Sequence, residues 1–247
     1  MASPYRFLAL LSDLDGTLLD TEPIYYRAYA LASAALGSPS PYTPAFHATH
    51  LLGKPESAGV AAFLSHQGLS AAPAQVLALR DAHALPAFPT CAPLPGAEAA
   101  VGACVAAGLR AAVVTSSKRH LVELKARGAP GLLAQFQLTL CSDDEALRGC
   151  AGKPHPACYQ KAAELLGVPP SHCLVLEDSV AGMAAGVAAG CFVVGVPDKL
   201  LDRRAVEGSG AHLVLWGGLG EFVLGEVEAR AAAWAAGAGA GGAGASA

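Results

Sequence analysis

The chain has 247 residues, 53% of them hydrophobic and 15% charged, so it can bury a sizeable core and is not globally disordered. A net charge of −4 offers no broad basic surface, which argues against a nucleic-acid-coating role. Seven scattered cysteines, none in a C-x-x-C pair, fit reduced buried thiols of an intracellular protein better than a disulfide framework or a zinc site.

The first segment, MASPYRFLALLSDLDGT, has a short apolar run that ends in acidic residues instead of a small-residue cleavage site. A soluble, cytoplasmic protein is expected. Strands are predicted over Arg6–Ser12, Arg110–Thr115, Gln137–Cys141, Cys173–Glu177, Cys191–Val196 and His212–Leu215. Helical patterns lie between them at Ala97–Ala107, Lys118–Arg127, Pro156–Leu166 and Ser179–Ala189, with Gly108, Gly128, Gly167 and Gly190 just beyond. Apolar runs alternating with helices predict an α/β fold, a parallel sheet flanked by helices on both faces. Residues 21–92 break that rhythm with three helical patterns (Glu22–Leu36, Pro55–His66, Ala74–Ala84) and no strand, and read as an α-helical cap inserted into a core of residues 1–20 and 93–230. Uncharged Ser179–Pro197 carries Gly182, Gly186 and Gly190 at small-xxx-small spacing, yet reads as a short helix packed on a buried strand and not as a membrane span. The Gly/Ala-rich tail, 231–247, is expected to be disordered, and its G-x-G-x-x-G at Gly237, Gly239 and Gly242 follows no strand.

Four pieces stand at the carboxyl ends of predicted strands, where α/β sheets place ligands. They are Asp13-Leu14-Asp15-Gly16-Thr17, then Thr115 with Ser116 and Ser117, then Lys153 in GKPHP, and Glu177-Asp178. Carboxylates two apart on an extended chain face the same way, so Asp13 and Asp15 can share one cavity. Acidic groups, a lysine and a hydroxyl suit the handling of a phosphoryl group with a hard cation. Mg²⁺ takes one or two carboxylates plus phosphate and water. Lys153 and the cation offset the dianion, Thr115 and turn amides bond its oxygens, and of two neighbouring carboxylates one attacks while the other moves protons. Taken singly, Thr115 could cap the following helix, Lys153 could be a surface lysine, and Glu177-Asp178 could be helix N-cap residues. His47 and His50 lack a third ligand at suitable spacing, and Asp143, Asp144 and Glu145 read as a solvated loop.

The strings DLDGTLLDTEP, VVTSS, GKPHP and LVLEDSVAGMAAGVAAG, in this order, resemble the four motifs of the haloacid dehalogenase superfamily from Asp13 to about Leu200. The resemblance implies a Rossmann-like core, Asp13 as nucleophile, Asp15 as general acid/base, and phosphate binding by Thr115, Ser116 and Lys153. It also implies Mg²⁺ on the side chains of Asp13 and Asp178 and the carbonyl of Asp15, with Glu177 as a further metal neighbour. Lys54, by its place in the cap, is read either as a contact to the leaving group or as a surface lysine. Softer strings (LLGKPESA, FPTCAPLPGAE, SDDEALRGCAGKPHP and VPDKLL) resemble helical-cap phosphatases of pseudouridine 5'-phosphate and of glycerol and sugar phosphates. The implied activity is hydrolysis of a small phosphate ester, with no nucleic-acid or membrane partner. The nearest alternative is a sugar phosphomutase resembling β-phosphoglucomutase, but where that family has a cap His and a cap Arg this chain has Tyr25 and Glu56. A further alternative is a silent phosphate-binding protein, although no motif residue is missing. Ser12 departs from the bulky apolar residue usual before the nucleophile, and Leu19–Pro23 and Pro89–Pro95 are hinge candidates.

Overall fold

The computed structural model describes residues 5–54 and 56–241. Six strands form one parallel sheet: β1 Ala9–Ser12, β2 Arg110–Val114, β3 Leu138–Leu140, β4 Cys173–Glu177, β5 Phe192–Gly195 and β6 Leu213–Val214. All lie within the predicted stretches, and their order is β3-β2-β1-β4-β5-β6. Alternation along each strand splits the core into two layers. Leu10, Val113, Leu176 and Val194 face α5 (Ala97–Ala106), whereas Leu11, Ala112, Val114 and Val175 face α8 (Ala157–Leu166) and α9 (Val180–Ala188). The chain leaves β1 for β2 and β3 on one side and returns with β4 on the other. This opens the crevice beyond the carboxyl ends of β1 and β4 in which such sheets hold ligands.

The glycines of α9 have a packing reason. A Cβ on Gly186 would lie 2.8 Å from the Val193 side chain, so the helix rides close on β5. Among the described residues no helix is long and apolar enough to cross a membrane.

Four helices lie between β1 and α5: α1 Glu22–Ala35, α2 Pro44–His50, α3 Glu56–His66 and α4 Pro73–Ala87. The sequence reading found three of them. It missed α2, whose signal is local: Thr43 accepts from the Phe46 amide at 3.2 Å and Pro44 follows it in the first turn. Tyr29, Val60, Phe63 and Val76 make a hydrophobic cluster of their own among these helices, while Ala28, Ala84 and Phe88 pack against Leu121 and Leu124 of α6 (Arg119–Ala126). Two short helices, α7 (Pro130–Leu133) and α10 (Arg203–Glu207), complete the surround of the sheet.

The expectation of a disordered tail fails for its first part. Helix α11 runs from Leu224 to Gly241, burying Val227 and Ala231 in the sheet core and setting Trp234 edge-on to Phe192 and His212. Alanine favours helix intrinsically, and an apolar stripe that includes an indole gives the low-complexity stretch something to pack with. Gly237 and Gly239 of the G-x-G-x-x-G match lie in this helix, and Gly242 lies outside the described residues.

Candidate active site

The turn after β1 folds back on itself. Asp13 keeps the strand path by donating its amide to the Leu176 carbonyl at 3.0 Å, and Gly16 turns at φ 75°. A Cβ on Gly16 would lie 2.5 Å from Asp178 Oδ2, so only glycine lets the turn and the Asp178 carboxylate meet. Thr17 donates to Asp178 Oδ1 at 2.9 Å. Ser12 is fully buried, and its hydroxyl donates to the Asp13 carbonyl at 2.8 Å.

Lys153 reaches into the sheet end and donates to Asp13 Oδ1 at 2.6 Å, to the Val114 carbonyl at 3.1 Å and to Glu177. Glu177 is fully buried and saturated: Tyr159 donates to Oε1 at 2.7 Å, and the amide and hydroxyl of Ser179 donate to Oε2 at 3.2 and 3.1 Å. These donors hold the Glu177 carboxylate against Lys153. The N-cap of α9 is Ser179, accepting from the Gly182 amide at 3.0 Å, and neither Glu177 nor Asp178 caps that helix. Thr115 likewise does not cap α6; its hydroxyl accepts from the Ser117 amide at 3.0 Å and closes the turn after β2.

Asp15 sits in a separate nest of donors. Thr21 and Lys125 both reach Oδ1, at 2.7 and 2.6 Å, and Ser117 reaches Oδ2 at 2.7 Å. The two motif carboxylates therefore have opposite electrostatics. Burial raises the Asp13 carboxyl to about 7, opposed by Lys153 and reinforced by Glu177 and Asp15. At Asp15, Lys125 and the hydroxyl donors outweigh burial and hold the carboxyl below the usual carboxylate range. Burial, then Glu177 and Asp13, push Asp178 well up, with the Thr17 hydroxyl working against them.

Asp13, Asp15, Thr115, Ser116, Lys153 and Asp178 all line one cavity of about 520 Å³, a size suited to a small metabolite. Its other wall comes from the helices between β1 and β2, including exposed Lys54. The α2–α3 loop touches the core beside Asp178: Gly53 has φ 65°, and a Cβ there would fall 2.3 Å from that of Ser179. His47 is held by Tyr42 at 2.6 Å and Glu22 at 3.2 Å, and His50 stacks on Phe46. Asp143 and Asp144 bind Arg119. Among the described residues no group of three or more His, Cys, Asp or Glu side chains is arranged to hold a metal. Two carboxylates and a backbone carbonyl make a sparser set, the kind that suits an ion keeping several waters.

The sequence reading missed the supporting residues. Lys125 of α6 and Arg80 of α4 are buried, and both occupy apolar positions of their helices: Lys125 three residues after buried Val122, and Arg80 midway between buried Val76 and Ala84. A charge at such a spacing is the signal that could have found them. Thr21, Tyr159 and Ser179 carry no comparable mark.

With this geometry in hand, residues 7–190 match the family described as haloacid dehalogenase-like hydrolase. Hexitol phosphatase B of Escherichia coli K12 is 32% identical over 83% of this chain and 91% of its own. A probable pseudouridine-5'-phosphatase of Drosophila melanogaster is 33% identical over 78% and 82%. The crystal structure of CbbY from Rhodobacter sphaeroides in complex with phosphate aligns with a TM-score of 0.73 at 27% identity, covering 87% of this chain and 96% of that one. The order of the motifs, the parallel sheet that carries them and the match over most of the chain agree, and this chain is an enzyme of the haloacid dehalogenase-like hydrolase family.

Proposed function

We propose that the chain is a Mg²⁺-dependent phosphomonoesterase that hydrolyses a small, hydroxyl-rich phosphate ester through an aspartyl-phosphate on Asp13. Residues 21–92 serve as the cap over a core of residues 1–20 and 93–230. One observation carries the reading: Lys153, itself steered by Glu177, lies on the carboxylate of Asp13 at the mouth of the sheet, beside a second buried acid, Asp178. A lysine fixed on a carboxylate nucleophile supplies the positive charge a phosphate dianion needs in order to approach it.

Asp13 attacks phosphorus, the bond from phosphorus to the ester oxygen breaks, and Asp15, ionised at rest beside Lys125, passes to that oxygen the proton that a substrate monoanion brings in. Asp15 then takes a proton from the water that hydrolyses the acyl phosphate and frees Asp13. Thr115 and Ser116 bond the phosphoryl oxygens beside Lys153. The side chains of Asp13 and Asp178 with the carbonyl of Asp15 would hold Mg²⁺, which neutralises phosphate charge when bound. The donor set fits that ion, because among the described residues Asp178 has a single side-chain donor, Thr17, and no ion-pair partner for its buried carboxylate. Names among the relatives (hexitol phosphatase, pseudouridine-5'-phosphatase) support a polyol, sugar or nucleoside leaving group.

Arg80 favours a phosphatase over a mutase. Its guanidinium is committed to Glu56 at 2.9 Å, Asp81 at 2.6 Å and the Tyr29 hydroxyl at 3.4 Å. A distal phosphate gripped by Arg80 would have to break one of those ion pairs. Tyr25, which stands where the mutase family has a cap His, accepts from Lys125 at 3.1 Å.

The test is phosphate release, with Mg²⁺ and with EDTA, from a hexitol phosphate, pseudouridine 5'-phosphate, glycerol 3-phosphate, 2-deoxyglucose 6-phosphate and β-glucose 1-phosphate. Mg²⁺-dependent release from one of them at a kcat/KM near or above ~10⁴ M⁻¹s⁻¹, abolished in a folded Asp13→Asn variant, is expected. Conversion of β-glucose 1-phosphate to the 6-phosphate with a bisphosphate primer would replace the reading with a mutase.

A further inference from the structure

Lys125 is the least expected charge in the molecule. It comes from the last turn of α6, outside the four motifs, and its side chain has no solvent exposure. Its amino group donates to Asp15 Oδ1 at 2.6 Å, to Ser117 Oγ at 2.8 Å and to the Tyr25 hydroxyl at 3.1 Å. The rings of Tyr25 and Phe88 flank it, with centroids 5.1 and 4.8 Å from the nitrogen. Tyr25 opens α1 and Phe88 follows α4, so the aromatic walls belong to the segments by which the chain enters and leaves residues 21–92. Below the amine, the Lys125 carbonyl accepts from Cys91 Sγ at 3.5 Å on that same exit segment.

The count of acceptor sites gives this arrangement a purpose. A carboxylate oxygen takes about two donors in its plane. Thr21 and Lys125 fill Oδ1 of Asp15, whereas Oδ2 receives Ser117 alone, leaving one acceptor direction on the oxygen of a residue that lines the cavity. Because Lys125 also donates to Ser117, it fixes the partner of Oδ2 as well as Oδ1 itself.

We infer that Lys125 is a positioning residue for proton transfer: it locks Asp15 so that Oδ2 faces the ester oxygen, and it ties that orientation to the seating of the cap base on α6. This rests on the proposed role of Asp15 as the acid that protonates the leaving oxygen. Lys125 touches neither substrate nor phosphoryl group and acts only through Asp15.

Leaving-group dependence separates positioning from a merely structural role. Departure of an alkoxide, as from glycerol 3-phosphate, requires a proton, whereas p-nitrophenolate leaves without one. kcat/KM reports the steps through that departure. Lys125→Met is expected to lower kcat/KM for glycerol 3-phosphate by roughly a hundredfold or more, the usual worth of a placed general acid, and for p-nitrophenyl phosphate by no more than about tenfold. Tyr25→Phe, which removes one acceptor of the amine without unpairing a buried charge, shifts the alkyl-to-aryl ratio the same way by a few fold. In an Asp15→Asn background, Lys125→Met adds almost nothing to the alkyl defect, because the two residues act as a unit.

Equal losses on both esters, or a full additional loss in the Asp15→Asn background, would overturn the inference. Should Lys125→Met fail to fold, the ratio in Tyr25→Phe decides, and an unchanged ratio there overturns it too. Wild-type protein that releases phosphate from neither ester would sink the phosphatase reading itself, a result distinct from an unmoved ratio.

Discussion

Glu177 and Asp178 are adjacent in sequence, yet their side chains have opposite fates. The strand turns one inward to Lys153, Tyr159 and Ser179, and the other toward the cavity and Thr17. The pocket for the inward acid is cut by a missing side chain: a Cβ on Gly182 would fall 1.8 Å from Glu177 Oε1. Gly182 lies in α9, whose backbone cannot move away without disturbing its packing on β5. Gly182→Ala is therefore expected to cost about 1–3 kcal/mol of stability by overpacking and to reduce turnover by displacing the partner that aims Lys153. Urea denaturation alongside phosphate-release kinetics checks both parts. Gly102→Ala in α5 is the control, since the nearest atom to its Cβ is 3.9 Å away, and stability there should hold or rise slightly.

Among the elements, α11 draws its stability from what it covers. Trp234 meets His212, whose ring stacks on Phe192 at 4.8 Å and whose Nδ1 accepts from the Val193 amide at 3.0 Å. Burial lowers the His212 pKa from its ordinary 6.5, so the folded state prefers the neutral ring. The unfolded chain then takes up this proton more readily, and the contribution of His212 to stability is complete above pH ~6.5 and is lost as pH falls below it. Melting temperatures between pH 8 and pH 5.5 should fall more steeply for the wild type than for His212→Gln. Parallel slopes would show that the ring titrates freely. The α2–α3 loop depends on its contact in the same way, with Gly53 at a positive φ because the turn must lie against Ser179.

For the molecule as a whole, three buried acids converge where one lysine, Lys153, serves two of them directly. On the proposed reading a divalent cation would answer that surplus charge, and a ligand that binds only the native state raises its stability. Mg²⁺ at one hundred times its Kd is expected to add about 2.7 kcal/mol, seen as a higher Tm that EDTA reverses and that Asp178→Asn removes. A shift that survives in Asp178→Asn would place the ion elsewhere. Much of this was legible in the chain. Strand periodicity, the order of the motifs and the spacing of Asp13 and Asp15 are local properties, and they determined the parallel sheet and the residues at its carboxyl edge. The long-range partnerships were not legible. Nothing in the sequence joins Lys125 to Asp15, 110 positions away, or Glu177 to Lys153, because close packing and burial choose those pairs once the sheet has brought the elements together. The same cause gave the Gly/Ala-rich stretch its helix through Trp234, and it divided the roles of two neighbouring acids by which face of a strand each one met.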